Sequence, residues 1–195
     1  PNCIPVLGFK ADALGSLEQN EEALAVIITM IDLGADDIET LEQERARYLS
    51  LLNRHQEALD ASTAALESFP ENWVLYKLQG DAYEAFGENN KALTVYKKAI
   101  ELNPEYQYGW FFSGLYSIDA KDYSFATKAI KQLNELGETN FANRIEASLL
   151  AAKQEYMKAA DLLWRLVNQE TPKSAYWMGQ YLTNAKFVEL SLALE

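Results

Sequence analysis

Apolar and small residues recur along this chain with two nested periods. Within short segments they fall at i, i+4 and i+7, a spacing that returns to one face of a helix at about 3.6 residues per turn. Across segments the whole pattern repeats: Pro70 and Pro104, then Ala58, Ala92 and Ala126, then Ala65 and Ala99, all stand 34 residues apart. One residue of slippage brings Ala23 and Ala159 into the same register. No strand-like alternation competes with this pattern. It predicts five helical hairpins stacked in one array, each unit covering the apolar face of its neighbour.

The side chains at the repeating positions explain how such hairpins close. Gly80 with Ala92, and Gly114 with Ala126, are small enough to let two helices of a hairpin approach, while the bulky Tyr76 and Trp110 are expected to fill the space between hairpins. Punctuation agrees. Asp36 with Glu39 three residues on reads as a capping box at a helix start, and Gly34 and Gly87 are placed to end helices in a left-handed conformation. Pro70 and Pro104 stop helices and push Phe69 and Asn103 towards extended geometry.

The unit from Trp73 to Tyr106 resembles the tetratricopeptide repeat, whose pattern is an aromatic, Leu-Gly, Tyr, Ala, an aromatic and Pro at fixed offsets. Tyr76, Gly80, Tyr83, Ala92, Tyr96, Ala99 and Pro104 occupy those sites, and Gln79 stands where Leu is usual. The next unit supplies Trp110, Gly114, Ala126 and Ile130, with Ser117 in place of Tyr and Gly137 in place of the terminal Pro. The flanking units are fainter, with Ala46, Leu49, Ala58, Ala65 and Pro70 in one, Ala147, Leu150 and Ala159 in another, and Leu7, Ala11, Leu14 and Ala23 in the first. The resemblance implies an all-α fold, a right-handed α-α superhelix of about five hairpins over residues 4–38, 39–72, 73–106, 107–139 and 140–173, with a partial sixth at 174–195. The chain is then one array over residues 1–195.

In that family the first helices of successive hairpins line a concave groove that holds an extended peptide or a helix. The corresponding stripe here lies about 100° around the helix from the packing stripe. It carries Gln43 and Arg47, then Lys77, Asp81 and Glu84, then Tyr108, Phe111, Leu115 and Ile118, then Phe141 and Arg144. The resemblance thus implies a partner-binding groove built on Lys77, Asp81, Tyr108, Phe111, Leu115, Ile118, Phe141 and Arg144, with Tyr108, Phe111, Leu115 and Phe141 sharing one exposed patch. Some family members instead clamp a terminal carboxylate with Lys, Asn and Arg. Those positions here hold Lys77 with Asp81, then Phe112, then Phe141 with Ile145. Only Lys77 fits, and Asp81 would repel a carboxylate, so an apolar or amphipathic protein segment is the expected ligand.

Charge narrows the classes of partner. The chain carries a net charge of −12, which opposes nucleic acid, whose binders neutralise phosphates with Lys and Arg. Residues 1–70 hold 13 acids and 4 bases, a bias that solubilises the array or steers a basic partner. The longest apolar run, Ala23 to Ile31, is too short to span a bilayer. One histidine, His55, and one cysteine, Cys3, supply no usual zinc site and no internal disulfide, and Asp32, Gly34, Asp36 and Asp37 lack the spacing of a calcium loop. No cofactor, no metal and no catalysis are expected.

A non-catalytic binding scaffold follows, with a docking region of a larger enzyme or of a secretion or envelope component as the alternative. The start at Pro1 without Met predicts a fragment or a processed chain, and the single cysteine points to the cytoplasm while leaving the periplasm open. The apolar helix around Ile28 and an unfinished sixth unit at Trp177, Tyr181 and Phe187 predict that one array end is covered, by the Ile4–Leu7 segment folding back or by a second copy in a homodimer.

Overall fold

A computed structural model describes residues 3–159 and 162–163. Among these residues every regular element is an α-helix. The chain divides into two compact units, residues 1–104 and 105–195. The first contains three hairpins, α1 (Ile4–Ser16) with α2 (Asn20–Asp32), α3 (Ile38–Leu51) with α4 (His55–Ser68), and α5 (Trp73–Ala85) with α6 (Asn89–Leu102). The second contains the hairpin of α7 (Gln107–Asp119) and α8 (Tyr123–Glu135), followed by α9 (Thr139–Ala152). The sixth repeat expected around Trp177, Tyr181 and Phe187 lies outside the described residues.

Each hairpin turns through the same local device. Glu18, Asn53, Gly87, Lys121 and Gln154 all have φ between 58° and 72°, and the amide after each of them donates to the carbonyl five residues back: Gln19 to Leu14, Arg54 to Leu49, Glu88 to Tyr83, Asp122 to Ser117 and Glu155 to Leu150. This is the Schellman closure, which satisfies carbonyls that a helix end would leave orphaned. Only one of these five residues is the glycine that a left-handed backbone favours. Between hairpins Gly34 and Gly137, with φ of 70° and 81°, repeat this closure after α2 and α8, Ala35 donating to Met30 and Glu138 to Leu133, whereas Pro70 and Pro104 follow α4 and α6, with Asn103 extended.

The start of α3 differs from expectation. Its cap is Asp37, one residue after the expected Asp36, and the Asp37 carboxylate accepts from the Thr40 amide at 3.2 Å. Glu39 does not reach back to close a capping box; its carboxylate accepts from the Asn72 side-chain amide at 3.0 Å. Asn72 also caps α5, its Oδ1 accepting from the Val74 and Leu75 amides. One side chain therefore starts a helix and ties it to the first helix of the preceding hairpin.

The first unit packs around small residues. Ala23, Ala46, Ala58, Leu75, Ala92, Tyr96 and Ala99 are fully buried. Gly80 lies so close to the Tyr96 ring that an added Cβ would meet Cδ1 and Cζ at 2.7 Å. The hydroxyl of this ring reaches the partly buried carboxylates of Asp81, at 2.8 Å, and Glu84, at 3.1 Å. Gln79 keeps its atypical place because its side-chain amide donates to the Thr63 hydroxyl at 2.8 Å. Ser62, fully buried where a large residue is usual, donates to the Ala58 carbonyl at 2.8 Å.

In the second unit Gly114 meets α9 as well as its own hairpin. A Cβ there would lie 2.6 Å from Cδ1 of Ile145 and 3.0 Å from Cβ of Ala129. The Trp110 ring stacks on Phe125 of the same hairpin, with centroids 6.0 Å apart and planes 19° apart.

These contacts set the expected response to substitution. Gly80→Ala gains up to about 1 kcal/mol of helix propensity but overpacks the Tyr96 ring at a cost of about 1–3 kcal/mol, so the urea midpoint should fall. Lys121→Gly relieves a left-handed non-glycine residue and should raise stability by up to about 1 kcal/mol. Urea unfolding of each variant checks both signs.

Candidate functional site

The stripe expected to bind a partner divides into two parts of different chemistry. On α5, in the first unit, Lys77 donates from Nζ to Asp81 Oδ2 at 2.8 Å, and the other Asp81 oxygen takes the Tyr96 hydroxyl. Lys77 and Asp81 are adjacent on the helix, both half-buried, and paired with each other. A carboxylate approaching Lys77 would have to displace Asp81. On α3, Arg47 pairs with Glu44 and lies over the ring of Tyr48 at 4.2 Å. The hydrogen bond that Arg47 donates to Glu44, the larger effect, and the Glu44 charge push the Arg47 guanidinium further up from its already high range.

On α7 and α9, in the second unit, the stripe is aromatic. Tyr108 and Phe141 sit 5.3 Å apart between ring centroids, and Phe111 and Phe141 4.8 Å apart. The Arg144 guanidinium lies 4.7 Å above the Phe111 ring, and Phe112 meets Phe111 edge-on at 5.2 Å. Tyr108, Phe111 and Phe141 thus lie together, but the single exposed patch expected of them with Leu115 does not form, because Phe111 is only 3% exposed; Ile118, on the same stripe, is 7% exposed. Phe141 and Arg144, carried on α9, close over Phe111, so a residue aimed at the groove becomes its floor. Tyr108, at 49% exposure, forms the open rim, with Leu115, Phe141 and Arg144 half-buried around it.

The groups weighed for chemistry are occupied by structure. His55 is the first residue of α4, edge-on to Phe86 at 6.3 Å, and its Nδ1 is buried without a hydrogen-bond partner. Among the described residues no group of three or more His, Cys, Asp or Glu is arranged to hold a metal ion. Of the acidic loop after α2, Gly34 supplies the left-handed turn and Asp37 the cap. Among the described residues no helix is long and apolar enough to cross a membrane.

The covering segment expected at Ile28 is absent. Ile4 to Leu7 form the first turn of α1, where Ile4 and Leu7 pack on the hydrophobic core, and Ile28 on the outer side of α2 stays 40% exposed. The segment is itself the first turn of α1, one helix of the first hairpin, and has no slack to reach across α2. The companion expectation at Trp177 falls outside the described residues.

The distinction between floor and rim has a direct consequence. Phe111→Ala should cost about 3–5 kcal/mol, the usual range for emptying a buried aromatic site, whereas Tyr108→Ala should change stability by less than about 1 kcal/mol, as for exposed positions. Chemical denaturation of the two variants makes the comparison.

Comparison with known proteins places this geometry. The family model for the tetratricopeptide repeat matches residues 75–106. The chain is 28% identical over 144 residues to human Superkiller complex protein 3; the match covers 73% of this chain and 8% of that far longer protein. Among solved structures, a tetratricopeptide repeat protein from Parabacteroides merdae superposes with a TM-score of 0.75 at 21% identity, over 85% of this chain and 66% of the other. YrrB, described as "a TPR protein with an unusual peptide-binding site", superposes at 0.66 and 21% identity, over 87% and 88%. The chain therefore carries a tetratricopeptide repeat over α5 and α6 and shares the helical-hairpin fold of solved tetratricopeptide repeat proteins before and after it.

Proposed function

We propose that this chain is a non-catalytic scaffold that binds a peptide or helical segment of another protein, and that the aromatic face of α7 and α9 is its main grip. The observation that carries this reading is the Tyr108, Phe111 and Phe141 cluster. A rim aromatic standing on a rigid, buried aromatic floor is the arrangement from which interfaces draw most of their binding energy. Tyr108, Leu115 and Phe141 touch the ligand; Phe111 and Ile118 hold them in place; Arg144, spread over the Phe111 ring, borders the site. In the first unit the paired Lys77 and Asp81 of α5 form a polar surface that selects against a terminal carboxylate.

The repeat fold supports a protein ligand in general terms, since solenoids of this kind present extended surfaces rather than closed pockets. A second reading rests on the match to a small part of a much longer relative: the array is the docking region of a larger protein whose other segments hold the chemistry. The binding surface is the same in both.

Selection of peptides from a random displayed library tests the reading. Ligands recovered on the intact chain should be rich in apolar residues, and Tyr108→Glu should weaken them by about tenfold or more, as expected for an interface anchor. Ligands that are indifferent to Tyr108→Glu and to Leu115→Glu would overturn it.

A further inference from the structure

A second surface, independent of the aromatic face, lies on the opposite type of helix in the first unit. Helices α2 and α4 both pack on α3 and leave between them a cleft of about 540 Å³. Leu24, Ala25 and Ile28 of α2, Leu49 of α3, and Ala61 and Ala64 of α4 line it with apolar surface. Small side chains on both walls keep the cleft open, and Ile28 stands in it 40% exposed.

The repeat supplies its own control for what this position normally holds. Ala23, Ala58, Ala92 and Ala126 are fully buried at equivalent places in the second helix of their hairpins. The residues two and five further on point outward, and they are Asp60 and Thr63 in α4, Thr94 and Lys97 in α6, and Lys128 and Lys131 in α8. In α2 alone they are Ala25 and Ile28. A solvated outer face needs polar residues at these offsets, so the two apolar residues that α2 sets beside an open cleft mark a contact surface.

Charge identifies the kind of partner. Arg54 is held between Glu21, at 3.0 Å, and Glu57, at 2.6 Å, and Arg45 is paired with Glu42 at 3.2 Å. Asp60 accepts only a neutral amide, from Gln56 at 2.9 Å. The rim therefore carries three carboxylates, Glu21, Glu57 and Asp60, against two guanidiniums that are already engaged, within a stretch of 13 acids and 4 bases over residues 1–70. We infer that the cleft between α2 and α4 is a docking site for a basic amphipathic helix of a partner protein, which inserts aliphatic side chains against Ile28 and sets lysine or arginine beside Glu57 and Asp60.

A labelled fourteen-residue peptide, with leucine at i, i+3, i+4 and i+7 and lysine elsewhere, serves as the probe; a twin with glutamate in place of lysine is the control. Fluorescence anisotropy on the full chain should show binding of the lysine peptide only, weakening as salt rises. Ile28→Glu and Ala64→Trp, which charge and fill the cleft at exposed positions, should each weaken it by about tenfold. Thr94→Glu, at the offset of α6 that matches Ala25, should leave it unchanged. Equal binding of the two peptides, no binding, or insensitivity to both cleft variants would overturn the inference. So would sedimentation showing a dimer of the chain that Ile28→Glu dissolves, because the occupant would then be a second copy.

Discussion

Close approach of a small residue to a bulky one is the constraint on which this architecture rests. Gly80 against the Tyr96 ring, and Gly114 against Ile145, are contacts with no room for one further carbon. Tight packing of this kind fixes the separation of helices more firmly than apolar burial alone, because interiors respond to a single methylene. The distance between α7 and α9 that lets Phe141 lie on Phe111 depends on Gly114 admitting Ile145, and the Tyr96 ring, packed against Gly80, brings its hydroxyl to Asp81 and Glu84.

The same repeat that sets the spacing also produces contrast along the chain. The same stripe of the first helices carries an ion pair at Lys77 and Asp81 in α5 and an aromatic cluster at Tyr108, Phe111 and Phe141 in α7 and α9. One offset of the second helices is polar in α4, α6 and α8 and apolar in α2. Positions required for stacking are held nearly constant, as Ala23, Ala58, Ala92 and Ala126 are, so specificity has to reside in the offsets that stacking leaves free.

Much of the fold was legible in the sequence because its signals are local and periodic. The helix starts at Ile4, Trp73 and Gln107 stand where the repeat predicted them, and Gly34 and Gly87 take the left-handed turns expected of glycine. The turns at Glu18, Asn53, Lys121 and Gln154 were missed because no glycine marks them. Their signal was the step from Gly87, since Asn53 and Lys121 lie 34 residues to either side of it. Asp36 and Asp37 both qualify as caps from composition, and only the backbone decides for Asp37. The site was legible as a set of residues but not as a surface. Phe111 and Phe141 each read as groove residues from their own helix; that one covers the other depends on packing between helices, which a single-helix period does not contain.

Hydrogen–deuterium exchange of the chain, alone and with a library-selected apolar peptide, measures directly where a ligand sits. The account predicts slowed exchange in α7 and α9 around Tyr108, Leu115 and Phe141, with the buried Phe111 segment already slow in the free chain. Protection confined to helices of the first unit, with α7 and α9 unchanged, would contradict it.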